Sequence, residues 1–209
     1  MEVQSIKSEL LKLIGKRRSI RAFSGEAVQK KSLQRIFEAA RWAPSAYNEQ
    51  PWRFIVVEKL GNPTFNEVVH ALMPGNQGWA SGAPLLLIAA AKRSFSRDGR
   101  ENNWARYDLG QAVAQMVLQA TAEGLFAHQM AGFYPDKMRQ ALNIPEEFEP
   151  VTVIALGHRG SPSVLPDELR KLENGPRKRL PLSKLVFQNE WEQPAEIPGI
   201  LESEAEWHL

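Results

Sequence analysis

The stretch Ala43-Pro44-Ser45-Ala46-Tyr47-Asn48-Glu49-Gln50-Pro51-Trp52-Arg53-Phe54 decides how this chain is read. It lies between segments of different period. Upstream, Leu33, Ile36, Phe37 and Ala40 recur at helical spacing, which predicts a helix over residues 29–42. Pro44 disfavours the αR region at Ala43 and so ends that helix. Downstream, Phe54 to Glu58 is a short apolar run that reads as a buried strand. The loop between carries two prolines, small residues, and the polar side chains of Ser45, Asn48 and Gln50. These offer donors and acceptors to a planar polar ligand. The chemistry alone is equally that of an ordinary helix-to-strand loop.

Working outward towards the N-terminus, Ile6, Leu10, Leu13 and Ile14 mark one face of a first helix, closed by Gly15. Lys16, Arg17, Arg18 and Arg21 then place four cations within six residues, with Ser19 among them. Guanidinium forks match phosphate oxygens in bidentate fashion, so the cluster is either an anion site or a solvated basic turn.

Towards the C-terminus, Thr64 to Glu67 reads as a capping box for a helix bearing Phe65, Val68, Val69 and Leu72. Pro74-Gly75 breaks that helix. Asn76 precedes the buried strand Leu85 to Ala90 as a loop amide. Residues 92–103 are polar and irregular, and read as a mobile binding loop. Trp104, Arg106 and Tyr107 follow. Leu109, Ala112, Val113, Met116, Val117 and Ala120 give the clearest helix in the chain, buried within one subunit or across two. Gly124 stops it, and Gly124 to Phe133 reads as a loop. Tyr134-Pro135-Asp136 opens a short helix that ends near Asn143. Val151 to Leu156 is a strand rich in β-branched residues. Residues 161–173 read as a crossing loop. Arg177-Lys178-Arg179 then makes a second basic cluster, ahead of a tail rich in Glu, Pro and Trp.

The chain has 209 residues, 43% of them hydrophobic, enough for one domain with a sizeable core and an extension. It has no Cys, so disulfides, thiolate nucleophiles and Cys metal sites are excluded. Its four His have no partner at i+3 or i+4, so zinc-type spacing is missing. The net charge of +2 argues against a nucleic-acid binder. The N-terminal residues lack a signal-peptide pattern and no apolar run approaches a membrane span, so a cytoplasmic protein with no membrane partner is expected. No P-loop, G-x-S-x-G or G-x-G-x-x-G motif occurs.

Taken with Arg17-Arg18-Ser19-Ile20-Arg21 upstream, the string Pro-Ser-Ala-x-Asn-x-Gln-Pro-Trp resembles the signature of nitroreductase-like flavoproteins. The resemblance covers residues 8 to 187. It implies an α+β fold, with a central, mostly antiparallel sheet flanked by helices, in an intertwined homodimer. Residues 1–187 would be the FMN-binding domain and 188–209 a C-terminal extended arm. It implies bound FMN, with NAD(P)H as visiting co-substrate. Arg17, Arg18, Ser19 and Arg21 would hold the phosphate and ribityl chain, completed by Arg177 and Arg179. Asn76 would meet the polar edge of the flavin, and a backbone N–H at Ala131, flanked by Gln129, Met130 and Gly132, its N5. Pro44, Ser45, Ala46 and Asn48 would come from the partner subunit. Where some members have a Lys, this chain has Trp79. Where some have an acidic residue, it has Ala131.

The implied activity is hydride transfer from NAD(P)H through flavin N5 to a small planar acceptor, a nitroaromatic, a quinone or a flavin. No side chain acts as the catalyst. His128 is a candidate acid–base group, but reads rather as a surface or structurally bonded histidine. Flavin cleavage, reductive dehalogenation and FMN carriage or sensing without turnover are the alternatives.

Overall fold

A computed structural model describes residues 9–197. The chain divides into two compact units: Arg17–Glu173, and a second that joins the N-terminal helix to the segment from Asn174 onward.

The larger unit is built on a four-stranded antiparallel sheet of order β1-β2-β4-β3. The strands are β1 (Trp52–Glu58), β2 (Leu85–Lys92), β3 (Phe126–Met130) and β4 (Phe148–Gly157). The run Leu85 to Ala91 is buried without interruption because β2 is central and covered on both faces. Leu86 and Ile88 face one core, while Leu85, Leu87, Ala89 and Ala91 face the other. The register between β2 and β4 slips between Ala89 and Ala90, which face Thr152 and Pro150. A proline has no N–H for the ladder, and the bulge falls beside it.

Helices α2 (Lys30–Arg41) and α5 (Ala105–Ala122) belong to the core that Leu85 and Leu87 face. Glu123, just past α5, takes a paired hydrogen bond from Arg35 and one from Ser32 on α2. The periodic face of α5 is thus buried inside the chain, from Leu109 through Ala120. The other face of the sheet carries α3 (Thr64–His70), α4 (Pro74–Ala80) and α6 (Pro135–Leu142), through Phe65, Val68, Val69, Trp79, Ala80 and Met138.

The structure corrects five local expectations. Thr64 does not cap α3; Asn62 Oδ1 accepts from the Thr64 N–H instead. Asn76 lies on a helix, because Pro74 at the first turn suits a helix start as well as a break. Residues 126–130 form an edge strand, not a loop. Residues 167–174 form helix α7 (Asp167–Asn174), with two acidic residues in its first turn. The 92–103 segment is a hydrogen-bonded turn, with a bridge between Ser94 and Glu101 and Phe95 N–H donating to Arg100 O at 2.8 Å.

In the smaller unit, α1 (Glu9–Lys16) ends where Arg177 donates to the carbonyl of Gly15. A cation at the C-terminal turn satisfies an orphan carbonyl and complements the helix dipole. Residues 187–194 close a turn, bridged between Phe187 and Pro194, with the Phe187 and Trp191 rings 5.1 Å apart. The tail beyond Ile197 lies outside the described residues.

Candidate active site

The basic segment at residues 17–21 leaves the start of the larger unit and runs beside β3. His128, on that strand, fixes it: Nδ1 lies 2.8 Å from the Ile20 carbonyl. A carbonyl only accepts, so Nδ1 carries the proton. The segment continues into a backbone staple at the end of β4. There Gly160 N–H donates to Ala22 O at 2.8 Å, Ser24 N–H donates to His158 O at 3.0 Å, and Phe23 bridges Arg159. Glu173, only 3% exposed, accepts from the Arg21 N–H at 2.9 Å, and its carbonyl accepts from Arg18 Nη2 at 3.1 Å. Arg17 Nη1 lies 3.3 Å from Ser19 Oγ. Three guanidinium groups are thereby held on one short, anchored segment.

Trp79 on α4 joins that segment to β3. Its ring is 4.4 Å from His128 and 6.5 Å from Phe23, and the Arg21 guanidinium lies 6.0 Å over it. The indole N–H donates to Gly75 O at 3.1 Å. The ring is 4% exposed. The Arg21 cation is thus laid over the indole.

At the end of β3 the chain turns through Ala131 and Gly132. Asn76 Nδ2 donates to Gly132 O at 3.0 Å, and the Met73 N–H donates to the same oxygen at 2.9 Å. A Cβ on Gly132 would sit 2.8 Å from Asn76 Nδ2, so any larger residue would push the amide out of this position. The bond fixes the plane of the Asn76 amide and leaves its Oδ1 as an acceptor. Met130 turns its side chain into the core and its carbonyl accepts from Thr152 Oγ1, while Gln129 and Ala131 are exposed. The donor set suits a phosphorylated ligand with a planar, amide-like edge, as FMN has: guanidinium groups for the phosphate, an amide for the ring.

Three of the expected groups, residues 17–21, Asn76 and 129–132, are therefore brought together. The fourth is not among them. The loop of Pro44, Ser45, Ala46 and Asn48 follows α2 on the α5 side of the sheet. Ala46 N–H donates to Asp108 Oδ2 at 3.0 Å, and Ser45 Oγ accepts from Gln50 N–H. Tyr47, Asn48 and Gln50 all hold positive φ, at 53°, 56° and 50°. Left-handed backbone at three residues in four, none of them glycine, stores strain of the kind found at functional loops. Arg177 and Arg179 lie in the smaller unit, where Arg179 Nη1 donates to Lys178 O.

Asp108 escaped the sequence reading because it sits within the apolar pattern of α5. The residue is 2% exposed. Burial pushes its pKa up, opposed by the bond from Ala46. The folded state then holds the proton more tightly than the unfolded chain. Stability therefore falls as pH rises from the ordinary Asp value through the raised one. Asp108→Asn keeps an acceptor without the charge, and should flatten that fall in a melting-temperature series across acid pH. Asp108→Ala leaves the Ala46 N–H without its acceptor and should cost about 1–3 kcal/mol.

A family model described as the Nitroreductase family matches residues 14–158. The chain belongs to the nitroreductase family. The matched span contains the Arg17 segment, the Pro44 loop, Asn76 and the β3 turn; Arg177 and Arg179 fall outside it. Among family relatives, an NADH dehydrogenase of Thermus thermophilus is 30% identical over 203 residues, covering 82% of this chain and 92% of its own length. A 15.4 kDa Mycolicibacterium smegmatis protein is 32% identical over 149 residues, covering 68% of this chain and 99% of its own. A solved oxidoreductase containing FMN is 36% identical with a TM-score of 0.80, covering 86% of this chain and 91% of its own. Among the described residues, no helix is long and apolar enough to cross a membrane, and no His, Asp and Glu group is set to hold a metal ion.

Proposed function

We propose that this protein is an FMN-dependent oxidoreductase that takes reducing equivalents from NADH or NADPH and passes them to a small planar acceptor, such as a nitroaromatic, a quinone or a flavin. The observation that carries this reading is the meeting of the Arg17–Arg21 segment, Asn76 and the Ala131-Gly132 turn at the end of β3. Arg17, Arg18, Ser19 and Arg21 hold the phosphate and ribityl chain, with Arg177 and Arg179 joining the grip. Asn76 reads the polar edge of the ring, and the Ala131 N–H faces its reactive nitrogen. A second copy supplies Pro44, Ser45, Ala46 and Asn48, in a cytoplasmic homodimer. FMN, when bound, supplies the two-electron redox chemistry. The protein orients it and offers cations and N–H donors where negative charge develops. The pyridine nucleotide and the acceptor use one pocket in turn.

The test is a visible spectrum of the purified protein, followed by anaerobic NADH or NADPH. A yellow protein that bleaches, then recovers its colour with a nitroaromatic or quinone, supports the proposal. A yellow protein that neither nucleotide bleaches turns the reading to FMN carriage. A colourless protein that takes up no added FMN overturns it.

A further inference from the structure

We propose that His128 is a positioning residue for the cofactor: its Nδ1–H, bonded to the Ile20 carbonyl, sets the spacing between the Arg17–Arg21 segment and the Ala131-Gly132 turn. The inference rests on the FMN reading above and goes beyond it. Residues 17–21 and 131–132 are far apart in sequence, yet one ligand must touch both. His128 lies on β3, three residues before Ala131, the first residue past the strand's end, or about 10 Å at the usual rise per residue. That distance is comparable with the five-carbon phosphorylated chain that separates a flavin ring from its phosphate. The bond from His128 at one end and the glycine turn at the other therefore bracket the ligand.

The surroundings of His128 favour a fixed, neutral ring. Trp79 packs on it at 4.4 Å, and the ring is half-buried. Burial lowers its pKa, the Ile20 carbonyl and Glu173 act against the shift, and Arg21 adds to it. The ring is thus held as the neutral Nδ1–H tautomer, the form that donates to Ile20.

Two substitutions test the role. His128→Asn places an amide N–H close to where Nδ1 stood, while His128→Leu has no donor. Both lose the ring packed on Trp79, so both melting temperatures should fall, further in His128→Leu, which leaves the Ile20 carbonyl without its donor. FMN affinity, read by quenching of flavin fluorescence, should weaken about tenfold in His128→Leu and stay within about twofold of the parent in His128→Asn, as loss of one buried hydrogen bond predicts. Equal affinities in the two variants, whether both strong or both weak, overturn the proposal. Hydrogen exchange in the FMN-free protein gives a second readout. Amides of residues 17–21 should exchange faster in His128→Leu than in His128→Asn, and equal rates overturn the proposal. If the parent binds no FMN, the functional reading fails, and exchange alone decides whether His128 positions the segment.

Discussion

Trp79→Ala is expected to cost about 3–5 kcal/mol of stability, the range for truncating a large buried aromatic, and to abolish retention of FMN through purification. The indole is 4% exposed and packs with His128, Phe23 and the Arg21 guanidinium. Its removal opens a cavity where α4, β3 and the basic segment meet. Arg21 then loses the surface over which it is laid. Urea unfolding monitored by circular dichroism gives the first number, and the flavin absorbance of the purified protein the second. Trp79→Phe separates them. It refills part of the volume, so stability should return by more than half of the loss, while the bond from the indole N–H to Gly75 stays broken. Trp79→Ala with parental stability would show that the ring is not part of the core.

Gly160→Ala is expected to be nearly as damaging although it adds one carbon. A Cβ at this position would lie 2.5 Å from the Phe23 carbonyl oxygen, 2.6 Å from its carbon and 2.8 Å from the Ser24 nitrogen. All three are backbone atoms, so no side chain can swing away. The segment must separate from the end of β4, breaking the bonds from Gly160 N–H to Ala22 O and from Ser24 N–H to His158 O. A loss of about 3 kcal/mol is expected, at the upper end of overpacking costs. FMN binding should weaken with it, because Arg21 is the residue just before the staple. Gly78→Ala is the control. Its Cβ would meet nothing within 4 Å inside α4, so it should gain about 0.5–1 kcal/mol from helix propensity. Thermal melts of the two variants should therefore move in opposite directions.

The elements that announced themselves in the sequence are those whose burial produces a clean period. The helix before Pro44, the long helix from Leu109 and the all-apolar β2 each stand where a face, or both faces, meet a core. The elements that were missed lack that signal. In β3, Phe126 to Met130, only Ala127 and Met130 are fully buried and no residue is β-branched, so an edge strand with one half-wet face looks like a loop. In α7, Leu169 and Leu172 are the only large apolar residues, and Leu172 is exposed. The placement of Asn76 on a helix was hidden by the Pro-Gly pair ahead of it. At the site, charge density made Arg17–Arg21 legible, and the string from Pro44 to Trp52 made the family legible. Glu173, Asp108 and the part played by His128 were not. Each acts through a backbone group distant in the chain, Arg21 N–H, Ala46 N–H and Ile20 O, and such pairings leave no local pattern.

The loop at Tyr47 sets two demands against each other at one residue. A laboratory screen for heat resistance would drift towards asparagine or glycine there, since both sit at φ 53° with less strain than an aromatic side chain. The same drift would discard the ring that carries Arg97 at 4.0 Å and packs edge-on against Phe95 at 5.8 Å. Heat-selected libraries of this protein would thus erode the surface chemistry of the loop while improving its backbone. Any variant collection meant to keep both should hold Tyr47 constant and look for its gains elsewhere.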